Sequence, residues 1–229
     1  MNASKTLLTL DTALNGCSVG IFTGEAAHGY YEDRAMSRGQ AEALLPMMER
    51  VREKAGIAYE CIDGVAVTCG PGNFTGLRIA LTAARTFARM RAIPAYGLST
   101  TQCIAFAFCR SRQQGTGNPG MDMLVALDTK RGDYYTQLFS HDCTALEEPV
   151  IRTGPELYAV LDGRESTVLI GHGLDALTDR PAVSKDNMRP DPSIMAAMCF
   201  QGYAAAGSGE HLHPIYMRDA ETNLAGHTK

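Results

Sequence analysis

The sequence predicts an α/β fold of two lobes, each built on a mixed β-sheet, and three observations predict it. First, LLTLDTALNGCSVGIF at residues 7–22 aligns without a gap on LVALDTKRGDYYTQLF at residues 124–139, an offset of 117. Leu7, Leu10, Asp11, Thr12 and Phe22 fall on Leu124, Leu127, Asp128, Thr129 and Phe139. Second, both copies read as an apolar strand, a tight turn and a returning strand. Third, short apolar runs alternate with stretches of helical spacing after each hairpin, as strands and helices do in an α/β layer.

The first lobe is assigned to residues 1–100. Thr6–Asp11 reads as a buried strand, Asn15-Gly16 is a strong hairpin turn, and Cys17–Thr23 returns. His28–Arg34 follows as a third strand. Leu44, Leu45, Met48, Val51 and Ala55 recur at helical spacing, so Gln40–Ala55 is a helix stopped by Gly56, with Pro46 expected to kink it or limit its first turn. Ile62–Thr68 is a strand, CGPGNFTGLR leads into a helix reaching about Met90, and Pro94–Leu98 is another strand.

The second lobe is assigned to residues 101–229. Ser99 caps a helix reaching about Arg112, and RQQGTGNPG at residues 112–120 is a linker-like loop. The pattern then restarts with strands at Met123–Asp128 and Tyr134–Ser140. Glu148–Gly154 is a strand, Pro155–Leu161 a helix, and Thr167–Ile170 a strand ending in GHG. Asp191-Pro192-Ser193 opens a small apolar helix over Ile194–Ala206, closed by Gly207, which is expected to pack back at the lobe boundary. A polar tail is expected to be disordered.

Of the 229 residues, 45% are hydrophobic and 20% charged, which describes a globular domain of ordinary composition. A net charge of −4 argues against a generally basic, nucleic-acid-binding surface. Seven cysteines without a CxxC pair suggest neither a disulfide framework nor a zinc ribbon. They read as free thiols in a reducing, cytoplasmic setting. No apolar run is long enough to cross a membrane, and no signal peptide is evident.

Asp11 and Asp128 each end a strand and precede a tight turn. A carboxylate there can hold hydrated magnesium while turn N–H groups face phosphate oxygens, or it can merely cap the turn. Duplicated hairpins of this kind characterise the actin, sugar-kinase and Hsp70 nucleotide-binding superfamily, whose glycine turn against adenosine matches Gly171-His172-Gly173 in position. Asp11, Thr12, Gly16, Asp128, Gly171 and Gly173 are therefore candidates for a vestigial nucleotide site. Glycines 70, 72 and 76 have the placement of a phosphate cradle, but the spacing is GxGxxxG, and neither a ribose-holding acid nor a Walker lysine follows.

In the next helix, Gly76, Ala80, Ala84 and Ala88 recur every fourth residue and form a stripe without bulk, beside Arg78, Arg85 and Arg89. Such a stripe serves a close intramolecular contact or a protein–protein face with arginine anchors, and the residues alone leave these even. The six histidines show no HExxH or HxxxH spacing, and no GxSxG elbow is present. No catalytic residue, metal site or cofactor is expected.

The motifs LDTALNGCSVGIF, QAEALLPMMERV, GPGNFTGLRIAL, ALDTKRGDYY, GHG and PIYMRD occur in the order found in the TsaB (YeaZ) family, which the chain resembles along nearly its whole length. The resemblance implies a two-lobed, actin-like (ASKHA, ribonuclease H-like) fold. It also implies a non-catalytic scaffold or activator in the complex that transfers threonylcarbamoyl to adenosine 37 of tRNA. The family is related to TsaD, formerly grouped with glycoprotease-like peptidases, whose first lobe carries a metal-binding HxxxH pair. The matching stretch here, SRGQAEALLP, has no histidine. The implied partners are a TsaD-like subunit and a TsaE-like ATPase joining that pair, with a homodimer when alone and tRNA reached only through the complex. In the family the helix after GPGxFTG contributes to pairing, so Phe74, Gly76, Leu77, Arg78, Ala80, Leu81 and Ala84 are the expected interface residues. The rival readings are a peptidase and a stand-alone ATP-dependent kinase of the same superfamily.

Overall fold

Six residues, TLLTLD, form strand β1 (Thr6–Asp11), and every one of them is buried. Burial on both faces is what an apolar run flanked by strands and covered by helices produces. The computed structural model describes residues 5–24, 28–113, 120–164, 166–177, 183–204 and 206–218. Strand β2 (Gly16–Thr23) returns antiparallel to β1, and β3 (His28–Ala35) follows as the exposed edge. Helix α1 (Gln40–Ala55) leads to β4 (Gly64–Gly70), helix α2 (Phe74–Arg91) to β5 (Ala95–Ser99), and helix α3 (Thr100–Gln113) leaves the first sheet. Strands β4 and β5 run parallel to β1.

The second sheet repeats this order. Strands β6 (Asp122–Asp128), β7 (Asp133–Phe139) and β8 (Val150–Thr153) form the antiparallel part. Helix α4 (Gly154–Asp162) leads to β9 (Thr167–His172), which lies parallel to β6, and β10 (Val183–Asn187) lies parallel to β9. Helix α5 (Pro192–Phe200) and strand β11 (Ala206–Gly207) follow. The sheet orders are β11-β5-β4-β1-β2-β3 and β10-β9-β6-β7-β8. The chain therefore has the two-lobed actin-like fold with a duplicated mixed sheet. The duplication is not gapless in space: Asp11 faces Ser18 across its hairpin, whereas Asp128 faces Tyr134, so the second turn is one residue shorter.

Period-2 alternation decides what packs where. Leu8 and Leu10 join the core under α1 and α2, while Leu7 on the opposite face meets Ile194, Met195 and Met198 of α5. Thus α5, from late in the chain, covers the first sheet, and β11 extends that sheet beyond β5. Helix α3 packs on β6 and β9 as well as on β4 and β5, so it joins the two sheets. Leu157 and Leu161 of α4 close the far face of the second sheet over Leu124 and Leu169.

Several expectations need correction. Helix α1 runs through Pro46 as one element, with Pro46 on its exposed side. Helix α5 stops at Phe200 and not near residue 206, because Gly202, in a left-handed conformation (φ 83°), ends it before Gly207 is reached. Strand β10 was not foreseen, since VSKDN is short and polar. Helix α3 extends to Gln113, residues 114–119 of the expected loop lie outside the described residues, and so does the tail from 219 onward.

The small-residue stripe of α2 is turned inward. Gly76, Leu77, Ala80, Leu81 and Ala84 are buried against this chain's own sheet, so they are packing residues and not a surface open to a partner. The Thr12 hydroxyl donates to the Gly76 carbonyl at 2.6 Å and accepts from the Ala80 N–H at 3.2 Å. A Cβ at Gly76 would lie 2.0 Å from the Thr12 carbonyl oxygen, leaving no room for one. Gly76→Ala is accordingly expected to destabilise by about 1–3 kcal/mol through overpacking. Ala80→Arg, placing an unpaired charge in the core, should abolish a cooperative melt. Thermal melts check both; wild-type melting of either would show that the stripe does not bear on the core.

Candidate functional site

Two of the concave regions among the described residues adjoin the candidate site residues. A cleft of about 380 Å³ lies between the sheets, lined on one side by Ala13, Leu14, Asn15, Gly72 and Asn73, and on the other by Asp128, Lys130, Arg131 and His172. Residues Ile215–Arg218 run along it. Asp128 accepts from the Lys130 N–H at 2.7 Å and from its ammonium at 2.6 Å. Gly173 packs on Asp128, where a Cβ would lie 2.7 Å from the Asp128 Cβ, while Gly171 presses on the Ala126 carbonyl behind it. His172 is buried at the cleft wall with no hydrogen bond to Nδ1, and burial lowers its pKa, favouring neutral imidazole.

The first carboxylate has a different setting. Asp11 accepts from the Ala13 N–H at 3.1 Å, the same i to i+2 turn cap that Asp128 makes. It also accepts from the Thr68 hydroxyl at 2.5 Å. It is fully buried beneath the cleft floor, and desolvation raises its pKa to about 6 against the lowering effect of those two bonds. Thr12 is spent on α2, and Gly16 packs under Arg189, where a Cβ would meet Nη1 at 2.3 Å. Of the six candidates for a nucleotide site, the structure thus brings Asp128 to the cleft, sets Gly173 against it, and uses Asp11, Thr12, Gly16 and Gly171 in packing. The GPGNFTG loop likewise braces the turn after β1: Asn73 N–H donates to Ala13 O at 2.7 Å, and the Asn73 side chain accepts from the N–H groups of Thr75 and Gly76. Donors that a phosphate would use are thereby partly taken by the cap.

The second region is an apolar groove of about 740 Å³ between α1 and α2. Leu45 and Met48 of α1 face Phe74, Ile79, Phe87 and Met90 of α2 across it. Leu45 is 63% exposed and Met90 80%, an unusual cost for large apolar side chains grouped on one face. Phe74 and Arg78 are the two foreseen interface residues that do reach this surface. The Arg78 guanidinium stacks over Phe74, 3.8 Å from its ring centroid, and its Nε donates to the Tyr216 hydroxyl at 3.0 Å.

Residues near the C-terminus fix this geometry, and sequence reasoning gave them no role. Arg85 Nε donates to Leu212 O at 3.0 Å, Ile215 N–H to Cys69 O at 2.7 Å, and Arg218 pairs with Asp133. Arg189 joins Asn15 O at 3.1 Å to Asp33 at 2.6 Å. The PIYMRD motif was the available signal, but it carries no periodicity that says what it touches. Among the described residues, no three His, Cys, Asp or Glu side chains converge as metal ligands would, and no helix is long and apolar enough to cross a membrane.

A family model described as TsaD: tRNA N6-adenosine threonylcarbamoyltransferase matches residues 34–148, half of the chain. The chain belongs to that family. It is similar over nearly its full length to the tRNA threonylcarbamoyladenosine biosynthesis protein TsaB of Escherichia coli, 27% identical over 228 residues, which cover 93% of this chain and 94% of the relative. TsaB of Haemophilus influenzae is 28% identical over 131 residues, covering 57% and 52%. A solved structure of YeaZ from Pseudomonas aeruginosa superposes with a TM-score of 0.76 at 21% identity, covering 93% and 99%, and so shares the fold. The TsaB (YeaZ) assignment read from the motifs therefore stands.

With its pKa raised from the ordinary 3.8 to about 6, Asp11 holds its proton longer in the folded state than in the unfolded chain. The stability contribution is full below about pH 4 and is lost as pH rises through 6, by on the order of 3 kcal/mol. Asp11→Asn keeps an acceptor for Thr68 and Ala13 and should flatten that slope in urea melts taken from pH 4 to pH 7. An unchanged slope would show that Asp11 is not the titrating group. Because Asp11 does not reach the cleft, calorimetry is expected to show no low-micromolar binding of magnesium ATP; tight binding abolished by Asp11→Asn would support the kinase reading instead.

Proposed function

We propose that this chain is a non-catalytic scaffold and activator in the transfer of threonylcarbamoyl to adenosine 37 of tRNA, acting by pairing with a TsaD-like subunit. The observation that carries the reading is the apolar groove between α1 and α2. Its large exposed side chains leave apolar surface that a helical partner face would bury, and grooves between paired helices accept such faces by ridge-and-groove packing. Family membership and the name of the Escherichia coli relative that spans nearly the whole chain supply the reaction. The absence of histidine from SRGQAEALLP at the start of α1 supports a role without metal chemistry.

In this reading the partner docks on Leu45, Met48, Phe74, Ile79, Phe87 and Met90, with Arg78 at the rim. A TsaE-like ATPase joins the assembled pair, and tRNA is reached through the complex. Without its partner, the chain covers the same groove with a second copy of itself. No cofactor of its own is invoked.

Leu45→Asp tests the reading with little risk to the fold, because Leu45 is mostly exposed. A carboxylate buried in the joint should weaken pairing with the TsaD-like subunit at least tenfold, about 1.4 kcal/mol or more. Titration calorimetry reads the affinity, sizing of the isolated chain reads the dimer, and reconstituted tRNA modification should fall with pairing. Wild-type affinity in the variant would sink the docking face; full tRNA modification without the chain would sink the function.

A further inference from the structure

Five of the seven cysteines are buried, Cys61 is exposed, and Cys109 is half-buried near the end of α3. Across from Cys109 lies the turn after β7. There Cys143 N–H donates to Ser140 O at 2.9 Å, Ser140 N–H to Thr144 O at 2.9 Å, and Thr144 N–H to Asp142 Oδ1 at 3.2 Å. These bonds hold Cys143 in the left-handed region, φ 68°, which a residue with a Cβ rarely occupies. That conformation lays its thiol on α3, with Sγ 3.8 Å from the carbonyl oxygen of Ala105, one helical turn before Cys109. The Cys109 Sγ in turn lies 3.4 Å from His141 O and 3.5 Å from Met123 Sδ. The two thiols are near enough to perturb each other's ionisation. A cavity of about 370 Å³, lined by both cysteines with Arg110, His141 and Asp142, opens beside them.

We propose that Cys109 and Cys143 are a peroxide-reactive thiol pair that closes to a disulfide between α3 and the turn after β7. Cys109 is the attacking sulfur. It is the more accessible of the two, and the neighbouring Cys143 thiol and the Arg112 charge lower its pKa while that of Cys143 is raised. The buried thiols of Cys17, Cys69, Cys103 and Cys199 are all pushed up by desolvation. The Cys109 thiolate attacks one oxygen of hydrogen peroxide. An S–O bond forms, the O–O bond breaks, and hydroxide leaves as water with the proton released by Cys109. The Cys143 sulfur then attacks the Cys109 sulfenic acid. An S–S bond forms, the S–O bond breaks, and a second water leaves with the Cys143 proton. Two electrons pass from the two sulfurs to the peroxide.

The test treats the reduced full chain with hydrogen peroxide, blocks remaining thiols and maps unreduced peptides by mass. The expected product is one cross-link joining Cys109 to Cys143, two hydrogens lighter than the reduced chain and reversed by dithiothreitol. In Cys143→Ser, whose hydroxyl replaces the thiol as a polar donor beside Cys109, dimedone should capture a sulfenic acid on Cys109 about tenfold faster than on Cys61, the exposed control in the same molecule. Should that variant fail to fold, the mapping of the unaltered chain still decides. Oxidation without this cross-link, or capture on Cys61 at the same rate as on Cys109, would overturn the proposal.

Discussion

The contact on which the rest of the molecule depends is the seat of Thr12 in the first turns of α2. One hydroxyl donates to the carbonyl of Gly76 and accepts from the N–H of Ala80, deep inside the fold. The two backbones approach so closely that Gly76 and Gly72 have no space for a side chain. This bond fixes the rotation of α2 on the sheet. Leu77, Leu81 and Ala84 then go inward, while Phe74, Arg78 and Ile79 go toward α1 and solvent. The apolar groove and the floor of the interlobe cleft are both set by that rotation.

The duplication explains the frame but not the division of labour. Both strand-end acids cap the following turn through the N–H two residues on. Around that shared element the halves have diverged. Asp11 is sealed under the β1 turn and held by Thr68, whereas Asp128 stays at the cleft beside Lys130. The contact of Thr12 with α2 is replaced in the second half by a bond from Thr129 to Asp133, within its own turn. The first half thereby presents α1 and α2, while both halves line the cleft.

Much of this was legible in the sequence, because the governing patterns are local. Strand β1 and helix α1 match their expected bounds because a continuous apolar run and a helical recurrence of apolar residues are both local patterns. The GPGNFTG segment was correctly singled out but wrongly aimed. A stripe of Gly76, Ala80 and Ala84 says that something comes close, and only the tertiary structure says that it is Thr12 and not a partner. Leu45, Ile79 and Met90, which form the groove, read in sequence as ordinary helix residues. Arg189, Tyr216 and Arg218 act over separations of 85 to 174 positions, beyond the reach of any periodicity.

One consequence follows from the position of Phe74, which lines both the cleft and the groove. Its ring is packed against Tyr216, at 5.1 Å between centroids, and beneath Arg78. The two cavities thus share a wall, and that wall is pinned by the segment crossing the cleft. Whatever displaces Tyr216 from inside the cleft also reshapes the rim of the groove. One aromatic ring thus borders both concavities, and the same three side chains, Phe74, Arg78 and Tyr216, set the boundary between them.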